Sequence, residues 1–217
     1  MDQDKARTEL AHIRSLMERS TRFLSLSGLS GVFAGAVALV GAWVAQHHVA
    51  LFISDRADVL TYGAERGGVP PEDLMRTLLL DAVSVLAIAL LGAFWFTWRR
   101  SERMGQGLWD ASARRLAWNL LVPLITGGGA CLALMHHGLL GLVAPFTLVF
   151  YGLALLNASK YTLEEVRWLA LSELVLGVLS CFWVGAGLLF WALGFGVLHI
   201  LYGGLMWMRH ERGDTNA

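Results

Sequence analysis

Residues 168–208 read WLALSELVLGVLSCFWVGAGLLFWALGFGVLHILYGGLMWM, a stretch that contains no lysine, arginine or aspartate. A helix that crosses a membrane needs about 20 apolar residues, so this stretch has the length of two such helices. The segment Gly185-Ala186-Gly187 interrupts it near the middle, and glycine favours a turn there. The stretch therefore predicts two membrane spans, over residues 168–185 and 188–208, joined by a tight turn.

Four more apolar stretches precede this one in the chain. They cover residues 24–44, 74–98, 116–136 and 138–156. Hydrophobic residues make up 56% of the chain and charged residues only 16%, whereas a soluble domain has about 25% charged residues. The predicted fold class is all-α: a six-helix transmembrane bundle over residues 23–208, followed by a tail over 209–217.

The basic residues flank the six stretches unevenly. All but three of the 17 lysines and arginines lie at alternate flanks, and the exceptions are Arg56, Arg66 and Arg76. Cytoplasmic loops of membrane proteins are rich in lysine and arginine. The pattern predicts a multi-pass protein whose amino and carboxyl termini are both cytoplasmic.

The first 22 residues differ from the rest of the chain in their pattern. Ala6, Leu10, Ile13 and Met17 recur at helical spacing, with charged residues between them. This spacing predicts an amphipathic helix over residues 1–22, at the membrane interface or against the cytoplasmic loops.

The segment between the first two spans is the only long one on the other side. It runs from Gln46 to Asp73 and contains several glycines and prolines, which favour irregular backbone. We expect a loop with a short helix over residues 53–62.

Two similar segments point to an internal repeat. Residues 22–29 (RFLSLSGL) resemble residues 167–174 (RWLALSEL), and each begins an odd-numbered span. Three helical hairpins of parallel topology would produce this pattern. The alternative is ordinary anchoring by arginine and aromatic side chains at a membrane boundary.

Glycine is concentrated in particular spans. Gly31 and Gly35 in the first span, and Gly203 and Gly204 in the last, form small faces through which helices can approach closely. Gly127–Gly129 in the third span either serve packing in the same way or break the helix near a binding site.

Few ionisable groups lie deep in the predicted spans. Glu173, Asp81 and His199 are the candidates, and an ionisable group in hydrocarbon is costly enough to indicate function. With the polar residues Asn119 and Ser172, they form a predicted proton, ion or substrate path. The alternative is a structural role, in which each carboxylate pairs with a nearby arginine or hydroxyl.

Histidines also suggest metal or haem as an alternative. The pairs His47-His48 and His136-His137 end the first and third spans on the same side, where their imidazoles, together with Asp55 or Asp58, could bind zinc or copper. His199 could ligate haem. The main expectation remains that the protein has no cofactor.

Two segments carry a resemblance. Residues 27–35 (SGLSGVFAG) and 190–203 (FWALGFGVLHILYG) are similar to segments of uncharacterised bacterial polytopic membrane proteins. The resemblance implies a location in the bacterial inner membrane, and it implies neither an activity nor a site.

Three classes of function follow. The first is a small ion-linked or proton-linked transporter or channel. The second is a non-catalytic membrane scaffold, sensor or accessory subunit, and the third is a haem or metal protein. No catalytic residues are predicted, and an enzyme is the less favoured interpretation. Partners would be the lipid bilayer and a second copy of the chain or another membrane protein. Nucleic acid is not expected, because the net charge is zero.

Overall fold

The computed structural model of the protein describes residues 23, 25–55, 72–105 and 109–212. In these ranges the chain is all-helical and contains no strand. The amphipathic helix predicted over residues 1–22 lies outside the described residues. The described residues form six main helices: α1 (Gly28–Asp55), α2 (Glu72–Arg103), α3 (Ala111–His136), α4 (Val143–Ala158), α5 (Glu164–Phe182) and α6 (Gly187–His210).

Five of the six helices are long and apolar enough to cross a membrane. The exception is α5, which carries Glu164, Glu165, Arg167 and Glu173. The all-α class and the membrane-compatible helices are therefore confirmed. The sixth span is not, because the charges of α5 lower its apolar character.

The bounds of the helices differ from the predicted spans most at the first helix. It begins at Gly28 rather than at residue 24, because the Gly28 backbone N–H donates to the Glu211 carboxylate over 2.5 Å and starts the helix there. It continues to Asp55, so residues 46–55 extend α1 instead of forming a loop. The turn predicted at residues 185–187 is a short 3-10 helix over Val184–Ala186.

The helices form a curved row in which neighbours are antiparallel. Helix α1 packs between α2 and α6, and α4 packs between α3 and α5. Helices α2 and α3, which are consecutive in the sequence, lie at opposite ends of the row. Helix α5 packs mainly on α4, and α6 mainly on α1. The arrangement as three equivalent hairpins is therefore not confirmed.

The contact between α1 and α6, called the seam below, is made by backbone against backbone. A Cβ atom at Gly31 would lie 3.2 Å from the Gly203 Cα, and one at Gly203 would lie 2.7 Å from the Gly28 carbonyl oxygen. A Cβ at Gly35 would lie 2.6 Å from a backbone carbonyl of α6. Gly204 differs from the others, since a Cβ there meets nothing within 4 Å. The small face of α1 thus serves contact within the chain.

Helix irregularity occurs in α6 and not at the triple glycine. Helix α3 runs unbroken through Gly127–Gly129, and only Gly127 is close to a neighbour, the Phe150 side chain. The break considered for α3 is therefore absent. In α6, residues Ala192–Leu198 form a π-helix, which is a wider turn that often occurs at functional sites.

Candidate functional site

The carboxyl group of Glu173 lies in the middle of the helix packing. The residue is 0% exposed, and neither carboxylate oxygen has a hydrogen-bond partner among the described residues. Helix α6 is shaped around it, because a Cβ at Gly194 would collide with the carboxylate. A buried acidic group that lacks a donor is energetically costly, which makes this position the strongest functional candidate.

The imidazole of His199 is an ionisable group that lies beside Glu173. Its Nδ1 lies 3.4 Å from Glu173 Oε1 and 3.0 Å from the Gly194 carbonyl oxygen, while its Nε2 lies 2.8 Å from the Tyr151 hydroxyl. A carbonyl only accepts, so we assign the hydrogen of the neutral ring to Nδ1. Nε2 then accepts from Tyr151, and the Nδ1 hydrogen bond goes to Gly194 instead of Glu173.

Aromatic rings hold this imidazole in place. The Phe195 ring, on the π-helical turn, packs against both Tyr151 and His199, with its centroid 4.8 Å from that of Tyr151 and 5.9 Å from that of His199. His199 begins the regular helical turns that follow the π-helix. The π-helix thus presents Phe195 and His199 to Tyr151 of α4.

A second polar contact lies near the first. The Ser172 hydroxyl donates to the Trp168 carbonyl oxygen over 3.0 Å and lies 3.2 Å from the Tyr202 hydroxyl. Because the single Ser172 hydrogen is used, Tyr202 must be the donor to Ser172. Asn119 is not part of this group: its side chain donates to the Arg115 carbonyl oxygen.

Asp81 does not join Glu173, contrary to the predicted common path. It lies on α2 against α1, where a Cβ at Gly41 would be 3.6 Å from Asp81 Oδ2. The nearby Ser84 hydroxyl, one of its predicted structural partners, donates to the Leu80 carbonyl oxygen instead. The sequence placed both carboxylates at depth but could not show that they belong to different helix pairs.

A cavity of about 470 Å³ lies between α2 and α3 and reaches the two tyrosines. Tyr151, His199 and Tyr202 lie in its wall, and most of the remaining lining is apolar. Along α3 the lining runs from Leu116 to Cys131, which corresponds to about 22 Å of helix. The cavity is only partly enclosed, because α2 and α3 do not pack along one another.

The histidine pairs show no metal site in the part of the chain that the structure describes. The ring centroids of His47 and His48 are 6.3 Å apart, and those of His136 and His137 are 5.2 Å apart. No group of three or more potential ligands is close enough to hold a metal ion among the described residues. Asp58, a further candidate ligand, lies outside them.

Two acidic residues that the sequence analysis missed join the helices at one end of the bundle, called the basic end below. Glu211 accepts from the Ser27 hydroxyl and from Arg100, over 3.1 Å and 2.9 Å. Glu165 accepts from Arg209 and from His210, each over 3.2 Å.

The environment of Glu165 changes its titration. Burial alone would raise the pKa of its carboxyl group. Hydrogen bonds from its own backbone N–H, from His210 and from Arg209 outweigh this and hold the pKa below its ordinary value of 4.5. Glu165 is therefore an anionic anchor between α5 and α6.

The residues missed by sequence reasoning gave different signals. Tyr151 is a hydroxyl-bearing ring in an apolar stretch, and such a ring usually finds a partner when it is buried. That rule could have marked it but not its partner. Glu211 and Glu165 gave no signal, because they resemble ordinary charges next to a span.

Comparisons of the chain with protein-family models, with curated proteins and with solved structures give no match.

Proposed function

We propose that the protein is a six-span membrane protein in which α5 is the sixth span. The outward side of α5 supports this, since Trp168, Val175 and Phe182 are 56%, 59% and 78% exposed and all are apolar. Its deep charge, Glu173, faces inward. The resemblance of two segments to bacterial membrane proteins, and the basic residues at one end, support an inner-membrane location with both termini cytoplasmic.

Within this arrangement, we propose proton-linked transport, with Glu173 and His199 as the proton site. The observation that carries the proposal is the fully buried Glu173 carboxyl group without a donor, 3.4 Å from His199 Nδ1. An isolated ionised carboxylate would be strongly destabilised there. The pair has no net charge when Glu173 is protonated and His199 is neutral, and also when Glu173 is ionised and His199 is protonated. The pair therefore retains one proton, which either residue can hold.

Tyr151 connects this proton to the cavity. When His199 is neutral, Tyr151 donates its hydrogen to Nε2. The free lone pair of the neutral ring is on Nε2, so a proton from the cavity enters through Tyr151: the phenol passes its own hydrogen to Nε2 and takes up the entering one, and the Nδ1 hydrogen passes to ionised Glu173, 3.4 Å away. Nε2 is then the donor and Tyr151 the acceptor, and the phenol hydrogen points toward the cavity. The position of the proton therefore changes which hydrogen bonds the cavity can make with a substrate.

Ser180 extends the polar stripe of α5 away from the basic end. It is fully buried, and its hydroxyl has no hydrogen-bond partner among the described residues. It lies seven residues beyond Glu173, about 10 Å along the helix. Two polar groups without partners on one buried helix face favour a path over a structural contact.

The scaffold and cofactor alternatives receive less support. A scaffold predicts polar groups that are satisfied locally, whereas the Glu173 carboxyl group is not. Haem ligation through His199 requires a free ring nitrogen, and both nitrogens already contact protein oxygens.

The proposal is tested by proton flux into liposomes that contain the purified protein and a trapped pH-sensitive dye, under a potassium diffusion potential. We expect the wild-type protein to acidify the interior faster than protein-free liposomes do. Glu173→Gln should return the rate to the protein-free level, because the amide cannot release a proton.

The matched control is Glu164→Gln, which changes an exposed carboxylate on the same helix and should leave the flux unchanged. Thermal unfolding in detergent shows whether each variant is folded. Flux by folded Glu173→Gln equal to that of the wild type would refute the proton site, and a wild-type rate equal to that of empty liposomes would refute proton transport.

A further inference from the structure

The polar hydrogen atoms of the side chains in the cavity wall already take part in hydrogen bonds within the protein. The Ser30 hydroxyl donates to the Ser27 carbonyl oxygen, and the Thr147 hydroxyl donates to the Ala144 carbonyl oxygen. The same holds for the other lining hydroxyls: Ser27 donates to Glu211, Thr162 to the Phe23 carbonyl oxygen, Tyr151 to His199 and Tyr202 to Ser172.

The two remaining polar side chains in the wall follow the same rule. The Cys131 thiol points to the Val143 carbonyl oxygen at 3.9 Å, and the Nδ1 hydrogen of His199 goes to Gly194. Among the residues that the structure describes, no lysine, arginine, aspartate or glutamate lines the cavity. With neutral His199, the wall therefore presents lone pairs without donors or charges.

Because the wall offers hydrogen-bond acceptors but neither donors nor charges, we infer that the cavity binds a long-chain alcohol. Its hydroxyl donates to the phenol oxygen of Tyr202 or Tyr151, each of which has a lone pair left. Its chain lies against the leucines of α2 and α3 that line the cavity, Leu86, Leu90, Leu120 and Leu124. The inference rests on the proposed function, since it names the substrate class of the same site.

Other lipophilic ligands match the wall less well. A fatty acid anion or a phosphate group would enter without a cation to pair with, and a buried unpaired charge is costly. A quinone or an ester carries only acceptors, so its oxygens would face the lone pairs of the wall. An alcohol brings the missing hydrogen and no charge.

The alcohol's length also suits the site. The lining along α3 extends over about 22 Å, which exceeds half of the roughly 30 Å hydrocarbon core of a bilayer. A long chain entering between α2 and α3 can thus stay in an apolar environment while its hydroxyl reaches the tyrosines. The opening between these helices allows it to enter from the lipid.

The test is a competition experiment on the purified full-length chain in detergent with tritiated hexadecanol as the probe. Unlabelled hexadecanol should displace the probe about tenfold better than hexadecyl methyl ether, which keeps the chain but lacks the donor; a tenfold ratio is typical of one hydrogen bond. In the double variant Tyr151→Phe and Tyr202→Phe, this ratio should fall to about one.

Two neighbouring leucines provide the control that tests where the alcohol binds. Leu120→Trp places a larger ring in the cavity wall and should abolish binding of the probe, whereas Leu121→Trp changes a residue that is 44% exposed and should preserve it. Equal displacement by alcohol and ether, an unchanged ratio in the folded double variant, or equal binding by both tryptophan variants would overturn the inference.

The outcome can be separated from that of the proton experiment. Proton flux is measured without added alcohol, so flux that depends on Glu173 together with equal binding of alcohol and ether removes only the substrate class. Selective alcohol binding without proton flux, both in the absence of alcohol and with hexadecanol in the liposome membrane, would instead retain the ligand site and refute proton-linked transport.

Discussion

Helices α1 and α6 border two regions of opposite character, the seam and the cavity. In the seam, glycines bring the two backbones into contact, and a Cβ at Gly203 would lie 2.7 Å from the Gly28 carbonyl oxygen. In the cavity, the same helices face a space of about 470 Å³. The difference indicates that the seam provides a fixed frame for His199. The space for a ligand lies between α2 and α3, which do not pack along one another in the described residues.

The largest expected effect comes from breaking the seam. Gly203→Val inserts a branched side chain against the backbone of α1 and should lower the free energy of unfolding by about 3 kcal/mol. Thermal unfolding in detergent measures this loss. Gly204→Val is the matched control, because a Cβ there meets nothing within 4 Å. Equal losses in both variants would show that the seam is not the fixed frame.

The second-largest expected effect is a rise in the free energy of unfolding, and it concerns the Glu173 carboxyl group beside the cavity. Glu173→Leu removes a buried carboxyl group without a donor and should raise the free energy of unfolding by about 2 kcal/mol, since apolar replacement of buried charges is often stabilising. The same thermal measurement applies, with Glu164→Leu as the exposed control. Destabilisation by Glu173→Leu alone would mean that the carboxyl group is a structural contact.

A smaller effect is expected where the seam ends. Glu211→Gln weakens the acceptor of the Gly28 backbone N–H and of Arg100 and should cost about 1 kcal/mol, as the loss of a helix cap does. Hydrogen exchange of the α1 amides should accelerate in its first turn. Arg212→Gln, at the exposed neighbouring residue, is the control. Unchanged exchange in Glu211→Gln would contradict a role for Glu211 in starting α1.

The smallest effect is a pH dependence at the basic end. The folded pKa of Glu165 lies below its ordinary value of 4.5, so its stabilisation is complete above that value and is lost as the pH falls through the folded pKa. Between about pH 6 and about pH 3, wild type should lose roughly 0.5 to 1 kcal/mol more than Glu165→Gln. Parallel pH profiles of the two proteins would contradict this anchor.

Much of the fold could be predicted from the sequence, because the helices follow from apolar length alone. The turn at residues 184–186 and the five apolar helices are examples. The π-helix over Ala192–Leu198 could not be predicted, since it depends on the packing of Gly194 around a carboxylate from another helix. Local sequence does not record which distant group a helix must accommodate.

The site could be predicted only in part, for the same physical reason. Glu173 and His199 were recognisable because their types are costly in hydrocarbon, and they are 3.4 Å apart. Asp81 met the same criterion but lies against α1 on another helix pair. Tyr151 was missed because its hydroxyl belongs to the site only through its hydrogen bond with the His199 ring.

The carboxylate of Glu211 accepts from the first amide of α1 although 183 positions separate the two residues. A ribosome makes a chain from its amino end, so this acceptor is made 183 residues after the amide that it binds. During translation, the first amide of α1 lacks this acceptor until residue 211 has been added. Helix α6 and the residue that follows it therefore complete the start of α1, and a nascent chain stopped before residue 211 would lack this closure.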